Sequence, residues 1–265
     1  MKKVILGSLL CLALSGVLLG CSKKMTVEDL FTKSRELSKD MTSIDMLLNI
    51  DVNGKFTLGT DTTMDLSFKT NTNVMSEFNR GIYLDGSVDM NMFGTDEKTQ
   101  VKSYIKLDDD KMVQYTYNDD TKSYDKVESE NYLSSVVKLD DIDFSPLYSH
   151  LTLADETETG ANNQEVYHVS GSVEGSVLKS LTDKLSSVNL DGMVADLDFY
   201  FSVKDCKLVA VDIDLAKSDF TKLAGGINSS LTNESTSVSF DVFHIQVTIN
   251  SINNYVFKVS DEIKE

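Results

Sequence analysis

Along most of this chain apolar and polar residues alternate, and the alternation gives way to helical spacing in three places. The first is residues 26–41, where Val27, Leu30, Phe31, Leu37 and Met41 recur at the turns of a helix. Thr26 stands where a cap is needed, Glu28 and Asp29 complement the helix N-terminus, and Lys33, Arg35 and Lys39 follow toward the other end. From Ile44 the period becomes two. Ile44, Met46, Leu48, Ile50 and Val52 share one face against Asp45, Asn49 and Asp51, and Asn53-Gly54 has the form of a hairpin turn. The same parity predicts strands through Met64, Leu66 and Phe68, and through Ile82, Leu84, Val88, Met90 and Met92. It continues through Val101, Ser103, Ile105 and Leu107, then Val113, Tyr115 and Tyr117, with Asp108-Asp109-Asp110-Lys111 and Asn118-Asp119-Asp120-Thr121-Lys122 at the turns.

Helical spacing returns between Ser129 and Leu151, where Tyr132, Leu133, Val136 and Val137 form a stripe and Ser145-Pro146 fits an N-cap followed by Pro at the first helical position. A strand through residues 165–173 then leads into a third helix over 174–187, with Val177, Leu178, Leu181 and Leu185 as its apolar stripe. Leu197, Phe199, Phe201 and Val203 alternate, Lys204–Lys207 turn, and Val209, Val211, Ile213 and Leu215 alternate back as a hairpin. Past Gly225-Gly226 the last strand sets Val238, Phe240 and Val242 against Phe243, Ile245, Val247 and Ile249. The parity changes between Val242 and Phe243, and a β-bulge there reconciles the two sets and bends the strand.

Alternation with one wet face belongs to antiparallel sheet, since strands buried on both faces read as unbroken apolar runs. The fold class expected is therefore α+β. A curved antiparallel sheet, or incomplete β-barrel, should hold the helix of 174–187 against its concave face.

The N-terminus changes the picture. Met1-Lys2-Lys3 precedes an apolar run of 16 residues, 4–19, which has the plan of a secretory signal and falls short of the ~20 residues of a spanning helix. It ends at Leu18-Leu19-Gly20-Cys21, which resembles the lipobox of bacterial lipoproteins, whose cysteine takes diacylglycerol, and here that cysteine stands where the apolar run stops. The expected organisation is a signal peptide over 1–20, a lipidated tether over 21–25 beginning at Cys21, and one half-barrel domain over 26–265. Two small domains are the alternative. Removing residues 1–20 leaves 245 of the 265, enough for a large core without metals or disulfides. The net charge of −17 becomes −19 once Lys2 and Lys3 leave with the leader, and the remaining arginines are Arg35 and Arg80. Such a surface repels phosphate backbones, so nucleic acid is not an expected partner. Two acyl chains on Cys21 would hold the chain at a membrane despite that charge.

Candidate chemistry is sparse. Cys11 leaves with the leader and Cys21 is the expected lipid site, so Cys206 has no disulfide partner; between Lys204-Asp205 and Lys207 a plain turn residue explains it better than a reactive thiol. No phosphate loop, nucleophile elbow, His-Glu-x-x-His or Cys-x-x-Cys is present. His150, His168 and His244 share no ligand spacing, although His168 and His244 could meet across strands. The acidic turns Asp108-Asp109-Asp110 and Asp140-Asp141-Ile142-Asp143 offer oxygen ligands without the glycine and distal glutamate of a calcium loop, and Asp is favoured in turns anyway. No catalytic residue, cofactor or metal site is expected. Met46, Met64, Met90 and Met92 fall on apolar strand faces, where they serve either ordinary packing or an adaptable binding surface.

The Leu18-Leu19-Gly20-Cys21 sequence resembles the lipobox of bacterial lipoproteins, with Leu19 bulkier than the pattern prefers. Together with the short helix, the long meander, the inserted helix and the strand Asp196-Leu197-Asp198-Phe199-Tyr200-Phe201, it resembles uncharacterised surface lipoproteins of Gram-positive bacteria. The strand through Asn253-Asn254-Tyr255 and the tail Val259-Ser260-Asp261-Glu262-Ile263 fit the same pattern. These in turn are similar to LolA-type and LppX-type lipoprotein carriers, whose incomplete barrel encloses an apolar cavity for acyl chains. The resemblance implies diacylglycerol on Cys21, a place on the outer face of the bacterial cytoplasmic membrane, and binding of a hydrophobic or amphipathic ligand such as lipid. Residues expected to line that site are Met90, Met92, Leu181, Leu185, Phe199 and Phe201. The alternative function is a structural or interaction module that meets a protein or polymer at the cell surface.

Overall fold

The computed structural model describes residues 25–58, 62–92, 94–108, 111–130, 143–160, 163–181, 190–220 and 236–263. Helix α1, Val27–Ser38, starts at a capping box: Thr26 Oγ1 accepts from the Asp29 N–H at 3.1 Å, and Asp29 accepts from the Thr26 N–H at 3.2 Å. Its stripe buries Leu30 and Phe31.

The strands, in chain order, are β1 Ser43–Leu58, β2 Thr62–Glu77, β3 Gly81–Met92, β4 Thr95–Leu107, β5 Lys111–Asn118 and β6 Ser123–Glu130, then β7 Leu151–Leu153, β8 Glu158–Thr159, β9 Glu165–Glu174, β10 Val194–Ser202, β11 Leu208–Asp214 and β12 Thr236–Ile252. They form one antiparallel sheet in the order β6-β5-β4-β3-β2-β1-β12-β11-β10-β9-β7, with β8 on β9. Two meanders are thus joined where the first strand pairs with the last. The sheet is open, because β6 and β7 lie at opposite ends. Both ends are poor templates for further pairing: β6 carries Asp125, Lys126, Glu128 and Glu130, and β7 and β8 are very short.

Several local expectations need correction. Asn53-Gly54 does not turn, for β1 runs straight through it. Asn53 pairs with Val242 and Gly54 with Phe240, leaving Asp241 bulged out of β12. A Cβ on Gly54 would stand 2.3 Å from the Ser239 carbonyl oxygen, so the glycine serves close strand approach at the bulge. The expected bulge therefore exists, but it precedes Val242 and sends that residue to the opposite face, where it is exposed. Further register shifts occur between Asp45 and Met46 and between Tyr200 and Phe201. β12 ends at Ile252. Asn253 then adopts φ 62°, its Oδ1 accepting from the Thr42 N–H at 2.7 Å and its Nδ2 donating to the Asp40 carbonyl at 3.2 Å, so the C-terminal segment ties down the α1–β1 connection.

The helix expected over 174–187 is described only as α2, Gly175–Lys179, with Glu174 still paired to Val194. Ser180 turns its hydroxyl onto the Val177 carbonyl at 2.6 Å, and the Leu181 N–H bonds Leu178 in a tighter turn. Ser145 does not cap. Phe144 is the N-cap of a 3-10 turn, Ser145–Leu147, and the Asp143 carboxylate accepts the Ser145 N–H instead. The helical stripe at Tyr132, Leu133, Val136 and Val137 lies outside the described residues, as do Cys21 and Leu185.

The packed core lies between α1 and the β9–β11 part of the sheet. Leu30, Phe31, Leu147, Leu151, Val169, Val173, Ala195, Leu197, Phe199 and Phe201 are buried together, and Cys206 joins them from the β10–β11 turn, where it takes φ 60°. Phe31 is the knob of this contact: its ring centroid lies 5.0 Å from Phe199, 5.1 Å from Phe201, 5.3 Å from Phe144 and 5.6 Å from Tyr148. Among the described residues, the helix laid on the sheet is α1, with Val177, Leu178 and Leu181 packed against the margin of the same core.

Candidate functional site

Residues directly opposite in an antiparallel pair place their side chains on the same face. The register can therefore be followed across the sheet. Phe199 pairs with Val211, Val211 with Val247, Val247 with Leu48, Leu48 with Thr72 and Thr72 with Gly86. A parallel row runs from Phe243 through Val52 and Phe68 to Met90, and another from Phe240 through Gly54 and Leu66 to Met92. One face of the sheet is thus continuous from the packed core beneath α1 out to β3.

That face has no charge on six of its strands. Across β1, β2, β3, β10, β11 and β12 the residues paired on the Phe199 side are aliphatic, aromatic, Met, Gly, Thr or Ser. Asp45, Asp51, Lys55, Asp65, Lys69, Glu77, Asp85, Asp89, Asp196, Asp198, Asp212 and Asp214 all stand on the other side. Away from α1 the uncharged face is only half-buried: Met46, Leu48, Ile50, Phe68, Leu84, Val88 and Met90 retain partial exposure, and Met92 is 45% exposed. Apolar residues on a closed sandwich would be covered by a second layer.

The expected lining residues separate into two groups. Phe199 and Phe201 are buried in the core under α1, with Leu181 packed at its margin. Met90 and Met92 share their face but are not part of that core, and β2, β1, β12 and β11 lie between β3 and β10. Arg35 and Lys39, read in the sequence only as complements to the helix end, face a cleft of about 510 Å³ between α1 and the 3-10 turn. A smaller apolar crevice of about 60 Å³ lies where α1 meets β10 and β12, lined in part by Phe31, Phe199, Phe201, Ile249 and Ile252.

The opposite face has a polar organisation. Asn71 donates to Asn49 at 2.5 Å and Asn49 to Gln246 at 3.2 Å, an amide ladder across β2, β1 and β12. His168 on β9 stacks on Tyr200 at 4.7 Å, with Nε2 2.6 Å from Asp198 and Nδ1 3.0 Å from Glu158. Burial opposes charge on this ring, but hydrogen bonds to Asp198 and Glu158 outweigh it and raise its pKa. Burial and the Asp198 and Asp212 charges push Tyr200 up to about 12. His244 does not meet His168, since β10 and β11 intervene and three strand spacings are roughly 14 Å. Among the described residues no three His, Cys, Asp or Glu side chains are grouped to hold a metal.

No protein-family model matches the chain, and no curated protein matches its sequence. Solved structures give distant likenesses. A DUF1329 family protein from Desulfovibrio piger is 7% identical with a TM-score of 0.25, covering 89% of this chain and 95% of its own. A β-barrel-like protein of the domain of unknown function DUF1849 from Brucella abortus is 9% identical with a TM-score of 0.23, covering 81% and 100%. A domain provisionally described as an outer membrane lipoprotein-sorting protein, from Vibrio parahaemolyticus, is 8% identical with a TM-score of 0.22, covering 86% and 93%. At such scores the functional argument rests on the geometry of the sheet.

Proposed function

We propose that this chain is an extracytoplasmic binding protein, anchored to the membrane by lipid on Cys21, that holds a hydrophobic or amphipathic ligand such as a lipid against the uncharged face of its sheet. It acts by binding rather than by catalysis. The observation that carries the reading is the segregation of charge: six neighbouring strands turn every paired charged residue to one side and leave a continuous uncharged face, largely apolar and half-buried, on the other. Water is a poor partner for such a face, and contiguous apolar surface of this kind marks binding sites. Phe199, Phe201 and Leu181 would form the closed end of the site, and Met90 and Met92 its open end, where methionine adapts to irregular partners.

The test uses the soluble fragment from Ser22 onward and a fluorescent fatty acid. Saturable binding is expected, weakened at least tenfold by Met90→Lys, which sets a charge on the face, while circular dichroism reports an unchanged fold. Absence of saturable binding by the folded wild-type fragment would overturn the proposal. The charged opposite face would then favour the alternative, a module that meets a protein or polymer.

A further inference from the structure

We propose that the ligand is an acyl chain with one anionic head group, the head seated in the cleft beside Arg35 and Lys39 and the chain laid from there onto the uncharged face. The inference rests on the ligand-binding reading above and adds the chemical class.

Its first support is that a polar space and an apolar one share walls. Phe31, Arg35 and Phe144 line both the cleft of about 510 Å³ and the apolar crevice of about 60 Å³. The cleft is large enough for a head group and its hydration, and the crevice opens onto Ile249 and Ile252. Ile249 pairs with Met46, Met46 with Val74 and Val74 with Leu84, so the apolar path continues across β12, β1, β2 and β3. Three strand spacings give roughly 14 Å. That is close to half the ~30 Å hydrocarbon core of a bilayer, the depth that one acyl chain fills.

Charge is the second support. Acidic residues outnumber basic ones in this chain by 17; the cleft is lined by Arg35 and Lys39 with one carboxylate, Glu36, while Glu28 and Asp143 act on the wall residue Tyr148 from beside it. Thr32 and Tyr148 add hydroxyl groups. Arg35 already acts on Asp143, whose carboxyl is held low by hydrogen bonds from Ser145 and further by the guanidinium charge. A guanidinium has five N–H donors and a carboxylate engages two at a time, so Arg35 can serve Asp143 and a head group together. Across the crevice, Lys207 lies 3.0 Å from Asp205 and its charge is largely answered there. Two cations, Arg35 and Lys39, thus stand at the C-terminal end of α1, where the apolar path ends.

The experiment compares two probes with the same fluorescent acyl tail on the fragment from Ser22 onward: the free acid, ionised at neutral pH, and its uncharged methyl ester. The acid should bind about tenfold tighter than the ester at low salt, the effect of a single charge-assisted hydrogen bond. Raising the salt should erode the preference, and Arg35→Gln with Lys39→Gln should bring the acid down to the affinity of the ester, which itself should not change. Equal binding of acid and ester by the wild type would overturn the inference while leaving the ligand-binding proposal standing, and so would a preference that survives both high salt and the double substitution. If neither probe binds, the ligand-binding proposal fails and this inference falls with it. The salt series on the wild type decides the matter even if the double variant does not fold.

Discussion

The docking of α1 depends on one side chain, and its removal should be costly. Phe31 is 6% exposed and has four aromatic rings within 5.6 Å, two from β10 and two from the segment around the 3-10 turn. Truncation to alanine removes the transfer free energy of a buried ring and leaves a space that Phe199, Phe201, Phe144 and Tyr148 cannot all close, since each is held by its own element. The expected loss is ~3 to 5 kcal/mol, the range for buried Phe to Ala changes. For a chain of this size each kcal/mol lowers the melting temperature by roughly 2 to 4 °C, so a fall of roughly 6 to 20 °C follows. Leu37, on the same helix but 43% exposed, supplies the control: its truncation should cost under ~1 kcal/mol. Urea unfolding of the fragment from Ser22 onward measures both. With no Trp in the chain, tyrosine fluorescence or near-ultraviolet circular dichroism follows the transition. Hydrogen exchange adds a regional test, because α1 amides should lose protection in Phe31→Ala while the long β1–β12 and β1–β2 ladders keep theirs. A Phe31→Ala variant within 1 kcal/mol of wild type, or a Leu37→Ala variant equally destabilised, would refute the assignment of the core to the α1–β10 contact.

Gly54→Ala should cost ~1 to 3 kcal/mol in the same unfolding assay, because its Cβ meets the Ser239 backbone carbonyl rather than a flexible side-chain tip; an unchanged midpoint would show that the bulge relaxes freely. His168 should make stability depend on pH. Its folded pKa is raised, so the protonated ring's contribution is complete below the ordinary His value of about 6.5 and is lost as pH climbs through the raised value. His168→Gln should flatten the wild-type profile in that window, and an NMR titration placing the ring at or below its ordinary value would contradict the Glu158–His168–Asp198 arrangement. Cys21→Ala should abolish incorporation of a tagged fatty acid during growth, and undiminished labelling would place the lipid elsewhere.

The parity of each strand was legible in the chain, because alternation is a local property of a half-buried strand and Ile44 to Val52, Ile82 to Met92 and Leu197 to Phe201 display it without help from their neighbours. The cap at Thr26, the turn at Lys204–Lys207 and the bulge near Val242 were legible for the same reason: each follows from residues a few positions apart. Asn53-Gly54 misled because its turn chemistry is local, whereas the requirement that overrode it is the close approach of Ser239 and Phe240 on a strand nearly two hundred residues later. The stripe at 174–187 was the one expected against the sheet, because it interrupts the strand series. Among the described residues the helix laid there is α1, whose Phe31 finds Phe199 and Phe201 facing it. The union of separate strand faces into one uncharged surface, with Met90 at one side and Phe199 at the other, was decided by register alone. Pairing is set by hydrogen bonds between distant strands, and a one-residue slip would have turned each apolar set to the opposite side. Arg35 and Lys39 had a sufficient local explanation at the helix end, so only the folded arrangement, with the 3-10 turn brought against α1, discloses the cleft they share.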